Sequence, residues 1–144
     1  MIIVATDKEY EIAKKRFKGQ KIIKTGVGGI NVVKKLKKLP KWLKLTNFGL
    51  VGSNNLPIGT EVRIGYCMHY HKTVFDEPAY VVGKKTDYMW CLTSDEFVEE
   101  YSGLESVVFD MELAYILALG FKRVESIKIV SDNLSLKQYE EEIK

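Results

Sequence analysis

The chain has 144 residues, 46% hydrophobic and 28% charged, the composition of a soluble domain with room for one core but not for two, so residues 1–144 are read as a single domain. Its two cysteines, Cys67 and Cys91, stand in no metal-ligand spacing, and the apolar run Met1 to Ala5 is too short and uncharged for a signal peptide; a reduced, cytoplasmic protein without a metal site is expected. No stretch approaches the roughly 18 apolar residues that a spanning helix requires, so no membrane association is expected. The formal net charge of +3 hides an asymmetry: between Glu11 and Lys44 every charged residue except Glu11 is basic, whereas acids outnumber bases from Thr93 onward. The two ends should attract each other, within or between chains.

In chain order, Ile2 to Ala5 is a short apolar, β-branched run bounded by Thr6-Asp7 and followed by a charged periodic stretch to Phe17. That pattern predicts a buried strand, an N-cap and a helix. Lys21 to Thr25 reads as a second strand, and Gly26-Val27-Gly28-Gly29 as a turn that only small residues make tightly. Ile30, Val33, Leu36 and Leu39 then recur at helical spacing until Pro40 stops the helix.

Leu45 to Val51 predicts a third buried strand ending in Gly52-Ser53-Asn54-Asn55. Thr60 to Val82 is rich in Val, Ile, Tyr and Thr without helical period, which indicates antiparallel strands or a long hairpin. Tyr88 to Leu92 predicts a strand, Ser94 to Tyr101 a short helix and Ser106 to Asp110 another strand. Met111 to Leu119 predicts a buried helix closed by Gly120, Ser126 to Ser131 the last strand, and Leu136 to Ile143 an amphipathic tail helix. Strands alternating with helices at both ends, around a β-rich middle, define the fold class as a compact three-layer α/β/α arrangement around a central mixed β-sheet. Ligands of such sheets bind beyond the carboxyl ends of strands, where Asp110 with Glu112 and Asp132 are expected to lie.

Five segments, in order, resemble the nucleoside phosphorylase and nucleosidase superfamily, and most of all the methylthioadenosine/S-adenosylhomocysteine nucleosidases. They are Ala5-Thr6-Asp7-Lys8-Glu9; Thr25 to Asn31 with its Gly-x-Gly turn; Asn47 to Gly52 followed by Leu56 to Val62; Thr93-Ser94-Asp95-Glu96-Phe97; and Phe109-Asp110-Met111-Glu112 together with Ser131-Asp132. The resemblance implies a purine nucleosidase that needs no cofactor, binds a small-molecule nucleoside and forms a homodimer. It implies Asp132 as the acid that carries a proton to purine N7, which a carboxyl does near neutral pH only in a desolvated place. Glu112 would accept hydrogen bonds from the ribose hydroxyls, and Glu9 would polarise the attacking water. Phe97 would stack on the purine and Met111 would pack beneath the ribose, with Asp110, Gly49 and Ser131 completing the substrate-binding set.

Phosphorylases of this superfamily carry an arginine in the first loop that clamps phosphate; here that loop offers Glu9, which favours water. Phosphorolysis, with Arg63 or Arg16 as phosphate partner, and a non-catalytic nucleoside- or nucleic-acid-binding module remain the alternatives. The sequence also departs from the family. No helix is expected between the middle hairpin and Tyr88, little chain follows Asp132, Phe48 and Leu50 stand for a threonine and a serine, and Ser94 replaces a glycine.

Plainer readings compete for the same residues. Asp132 would serve as a helix N-cap, Glu112 as a buried carboxylate paired with Lys or Arg, Glu9 as a first-turn acid favoured by the helix dipole, and Phe97 and Met111 as core. Gly26 to Gly29 would be a plain tight turn, and His69 and His71 one exposed strand face. The lysine-rich run Lys34 to Lys44 with Trp42 reads as a solvated helix face rather than a nucleic-acid or membrane surface.

Overall fold

The structure, a computed structural model, describes residues 1–71, 74–84 and 86–142. In chain order the elements are β1 (Ile2–Val4), α1 (Asp7–Arg16), β2 (Ile22–Lys24), α2 (Gly29–Leu36), β3 (Lys44–Ser53), β4 (Glu61–His71), β5 (Val74–Val81), β6 (Met89–Thr93), β7 (Val107–Asp110), α3 (Leu113–Ala118), β8 (Arg123–Asp132) and α4 (Leu136–Glu142). The mixed sheet with flanking helices expected from the pattern is present. The stretch Thr60 to Val82 forms the antiparallel hairpin β4–β5, and residues 72 and 73 between the strands lie outside the described residues.

One sheet runs β2-β1-β3-β7-β6-β4-β5, and β8 pairs with both β3 and β4. That second pairing closes β3, β7, β6, β4 and β8 into a ring, which periodicity along single segments does not reveal. β8 lies parallel to β3 over most of its length and antiparallel to β4 at residues 61–63. β3 and β7 meet antiparallel only through the last two residues of β3, Gly52 opposite Phe109 and Ser53 opposite Val108. Their carboxyl ends are therefore brought side by side, next to the end of β8.

Strand alternation divides the packing. Ile2 and Val4 face α1 with Ala13, Phe48 and Ile127, whereas Ile3 faces α2 and α3 with Val32, Leu36, Leu45 and Ile116. Val51, Ile64, Cys67, Cys91, Val108, Leu113 and Val130 fill a third cluster. Val32 and Leu36 have no exposed surface, so the apolar stripe of α2 is the part of the lysine-rich segment that folds inward. Burying each such side chain contributes about 1.5–3 kcal/mol. Lys34, Lys35, Lys37 and Lys38 face solvent. Lys41 donates to the carbonyls of Lys37 and Leu39 and lies over the Phe121 ring, closing the chain turn after the helix.

The expected helix from Ser94 to Tyr101 does not form: residues 94–106 run as irregular chain. Two causes are visible. The Ser94 hydroxyl accepts from the Glu96 amide at 3.2 Å, a local turn that competes with helical pairing. A helix would also gather Phe97, Val98 and Tyr101 on one face, but they are needed at separate places. Tyr101 packs edge-on against Tyr70 and Phe109, Val98 joins the same cluster, and Phe97 turns to the cleft described below.

Candidate active site

Four strand ends and one irregular segment surround a narrow cleft of about 560 Å³, measured out to solvent. Its wall includes Thr6 and Glu9 after β1, Leu50 and Gly52 at the end of β3, Asp110 to Glu112 after β7, Asp132 and Leu134 after β8, and Glu96 to Val98 from the segment after β6.

Glu9 is held by the way α1 begins. Thr6 is the N-cap, its hydroxyl accepts from the Glu9 amide, and the Glu9 carboxylate returns to the cap backbone: a complete capping box. Oε1 accepts from Ala5 N at 2.8 Å and Thr6 N at 3.2 Å, and Oε2 accepts from Leu50 N at 2.8 Å. One side chain thus caps a helix, fastens it to β3 and faces the cleft. Burial pushes its carboxyl above the ordinary value, against the opposing pull of the Leu50 and Ala5 amides and of Lys128.

Glu112 accepts from the Gly28 amide at 2.8 Å. Gly26 and Gly28 have φ of 92° and 91°, a backbone that glycine alone adopts without strain, and this aims the Gly28 N–H at the carboxylate. Glu112 is half-buried as a residue, but its carboxyl lies deep. Desolvation foremost, then the negative charges of Asp110 and Glu9, push it up to about 8.

Asp110, two residues earlier, has the opposite fate. Its Oδ1 accepts from the Thr93 hydroxyl at 2.5 Å, and its Oδ2 from Leu113 N at 2.8 Å and Lys128 Nζ at 3.1 Å. Burial alone would raise this carboxyl, but Lys128 and the Thr93 and Leu113 donors outweigh it and hold it below the usual range. The acid paired with a buried lysine is therefore Asp110, not Glu112.

Asp132 has no exposed surface. A register shift in the β3–β8 ladder sets it opposite Gly52, and a Cβ at Gly52 would stand 2.8 Å from its Oδ1. Leu134 N donates to the same oxygen at 2.9 Å, with Leu134 held at φ 64°, a left-handed conformation costing on the order of 1 kcal/mol. Ser135, not Asp132, caps α4: its hydroxyl accepts from Gln138 N at 3.3 Å. Asn133 donates to the carbonyls of Ser53 and Leu56, tying the ends of β3 and β8 together.

Of the sequence-derived candidates, Glu9, Phe97, Asp110, Met111, Glu112 and Asp132 all line the cleft, whereas Gly49 and Ser131 lie behind it. Gly49 makes room: a Cβ there would be 3.1 Å from Glu9 Oε2 and 3.2 Å from Lys128 Nζ. The Ser131 hydroxyl bonds Val51 O at 3.3 Å and Asp132 Oδ2 at 3.4 Å. Of the family departures, Phe48 is core beneath α1, while Leu50 faces the cleft.

Sequence reasoning missed Lys128. It is 1% exposed and held protonated, against burial, first by Asp110 and also by Glu112 and Glu9. A lysine inside the apolar run Ile127 to Val130 is the signal that could have found it, since lysine is almost never fully buried unless paired. Arg16 is engaged by both oxygens of Glu61. Neither it nor Arg63 lines the cleft, and His69 and His71 do not either. Among the described residues no cluster of His, Cys, Asp and Glu could hold a metal ion, and no helix is long and apolar enough to cross a membrane.

The fold is similar to that of solved methylthioadenosine/S-adenosylhomocysteine nucleosidases. The structure is similar to the nucleosidase of Chlamydia trachomatis, with a TM-score of 0.77 at 15% identity over 96% of this chain and 84% of that one. It is also similar to a Helicobacter pylori nucleosidase mutant solved with 5′-methylthioadenosine in its active site, at 0.77 and 12% over 99% and 90%. A third likeness is to the Neisseria meningitidis enzyme in complex with methylthio-immucillin-A, at 0.76 and 15% over 99% and 90%. At such identities the likeness establishes the fold. No family model and no curated protein sequence matches the chain.

Proposed function

We propose that the protein is a purine nucleosidase that hydrolyses the N-glycosidic bond of a nucleoside such as methylthioadenosine or S-adenosylhomocysteine. The observation that carries this reading is the convergence of Glu9, Glu112 and Asp132, from three separate segments, on one cleft in a fold of nucleosidase type.

Breaking the bond makes an oxocarbenium-like sugar and a leaving purine anion. Asp132, withdrawn from solvent, is the group that hands a proton to N7 of the base. Glu112, once ionised, accepts from the ribose hydroxyls and offsets the positive charge that develops on the sugar. Glu9 polarises the attacking water through Oε2, which has already accepted one backbone proton and retains a lone pair. Lys128 and Asp110 supply a neutral pair behind these acids, so that three cleft carboxyls and Asp110 are not four uncompensated charges. Phe97 and Met111 provide the faces against which base and sugar pack. Arg16 is sequestered by Glu61 and Arg63 lies away from the cleft, which favours water over phosphate as the acceptor.

The test is a chromatographic panel of purine nucleosides incubated with and without phosphate. Free base and free sugar without phosphate are expected. An absolute phosphate requirement with a sugar 1-phosphate product would convert the reading to phosphorolysis, and no cleavage of any nucleoside between mildly acidic and mildly alkaline pH would remove it.

A further inference from the structure

Tyr115 is not used by the chemistry above; part of its side chain packs against the core cluster around Val32, Leu36 and Ile116. It lies on α3, one turn beyond Glu112, yet its side chain touches three other elements. Its hydroxyl donates to the Asp95 carboxylate. Its ring meets His69 of β4 edge-on, with centroids 4.8 Å apart at 77°. The same ring lies flat against the start of α2, where a Cβ added to Gly29 would stand 2.4 Å from it. Burial and the Asp95 acceptor push its phenol up to about 12, so it remains a donor throughout the neutral range.

Two of these partners, Gly29 and Asp95, lie next to a group of the cleft. Gly29 follows Gly28, whose amide holds Glu112. Asp95 precedes Glu96 and Phe97, which line the cleft, inside a segment with no helix or strand of its own. Beyond the buried Ser94, whose amide donates to Asp110 O at 2.9 Å, Val98 and Tyr101 pack against the aromatic cluster. Asp95 adds a polar tie between those anchors, and the residue it ties to sits on the helix that follows Glu112.

We infer that Tyr115 and Asp95 form a latch that positions Phe97, holding the base-side wall of the cleft at a fixed distance from the ribose-side wall built by Gly28 and Glu112. Tyr115 is a positioning residue: it touches no substrate atom. The inference deepens the nucleosidase reading by assigning what sets the width of the nucleoside slot, but the latch itself exists without substrate and can be tested without it.

The test uses hydrogen exchange of the full-length protein without ligand. Tyr115→Phe keeps the ring contacts with His69 and Gly29 and removes only the hydroxyl. It should speed exchange of the amides of residues 95–98 by about threefold to tenfold, the value of one hydrogen bond to a charged group discounted for its exposure. Asp95→Ala should do the same, and the double variant should add nothing further. Asp95→Asn keeps an acceptor for the phenol and should retain most of the protection. Where the nucleoside is cleaved, Tyr115→Phe should raise KM severalfold with kcat within twofold. Additive effects in the double variant, or unchanged exchange in Tyr115→Phe, would overturn the latch even if cleavage is found. Loss of the nucleosidase reading would leave the exchange result standing.

Discussion

The two walls of the cleft are built in different ways. The wall of strand ends holds Glu9, Asp110, Glu112 and Asp132 through backbone amides: Ala5, Thr6 and Leu50 for the first, Leu113 for the second, Gly28 for the third and Leu134 for the fourth. The wall of residues 94–106 is irregular chain kept in place by side-chain contacts, through Tyr115 to Asp95 and through Tyr101 to Tyr70 and Phe109. Backbone donors are fixed by the strand ends and helix starts that carry them, so they pre-organise charge at no extra ordering cost. Side-chain ties are weaker and replaceable. A fold of this kind can keep its carboxylates while the base-side wall varies.

Changes in the first wall should therefore break rate and stability, and changes in the second should shift binding. The largest effect is expected for Asp132→Asn, which removes the acid at the base: kcat for nucleoside cleavage should fall by about 10²–10⁴-fold with folding intact, read by steady-state kinetics beside a thermal melt. Close to it in energy is Lys128→Met, which strands Asp110 as a buried charge; denaturant titration should show a loss of about 3–5 kcal/mol. A Lys128→Met/Asp110→Asn double variant should recover much of that loss, and failure to do so would show that the pair is not the unit of stability.

Glu112 gives the comparison a pH signature. Its carboxyl ordinarily titrates near 4.5 and here near 8. The folded state therefore binds more protons than the unfolded state between those values, and stability should fall as pH rises through that window. Activity should move the other way, because the ionised form is the acceptor the ribose needs; kcat/KM should climb toward pH 8, and Glu112→Gln should flatten both profiles. On the second wall, Phe97→Ala should raise KM by roughly tenfold, the value of a stacked aromatic face, with a smaller change in kcat. The smallest effect is expected for Thr6→Ala, about 1 kcal/mol of stability from the lost N-cap, measured by thermal melting.

Much of this site was legible along the chain. Glu9, Glu112 and Asp132 each follow a short apolar run within a few residues, and the strand-end rule brings such residues to one end of a sheet. Gly26 to Gly29 was legible as a tight turn, though its purpose, an amide aimed at Glu112, was not. The misread helix at Ser94 to Tyr101 has a definite cause: local spacing suits a helix, but the aromatic cluster and the cleft claim its residues separately. Lys128 went unnoticed because period and turn signals treat a single lysine in an apolar run as an edge. Its role depends on Asp110, eighteen residues away along the chain and in contact in space.

By itself the sequence determined the order of strands and helices apart from the misread segment after β6, the existence of α2 though not its inward stripe, where Val32 rather than Ile30 or Val33 is buried with Leu36, and the acids near strand ends, because hydrophobic period, caps and glycine turns act over a few residues. The ring closed by β8, the abutting ends of β3 and β7, the Lys128 to Asp110 pair and the Tyr115 to Asp95 contact were decided only by the tertiary structure. Each joins segments that no local rule relates, and for the Lys128 to Asp110 pair it is the depth of burial and the neighbouring charges that make the pairing favourable.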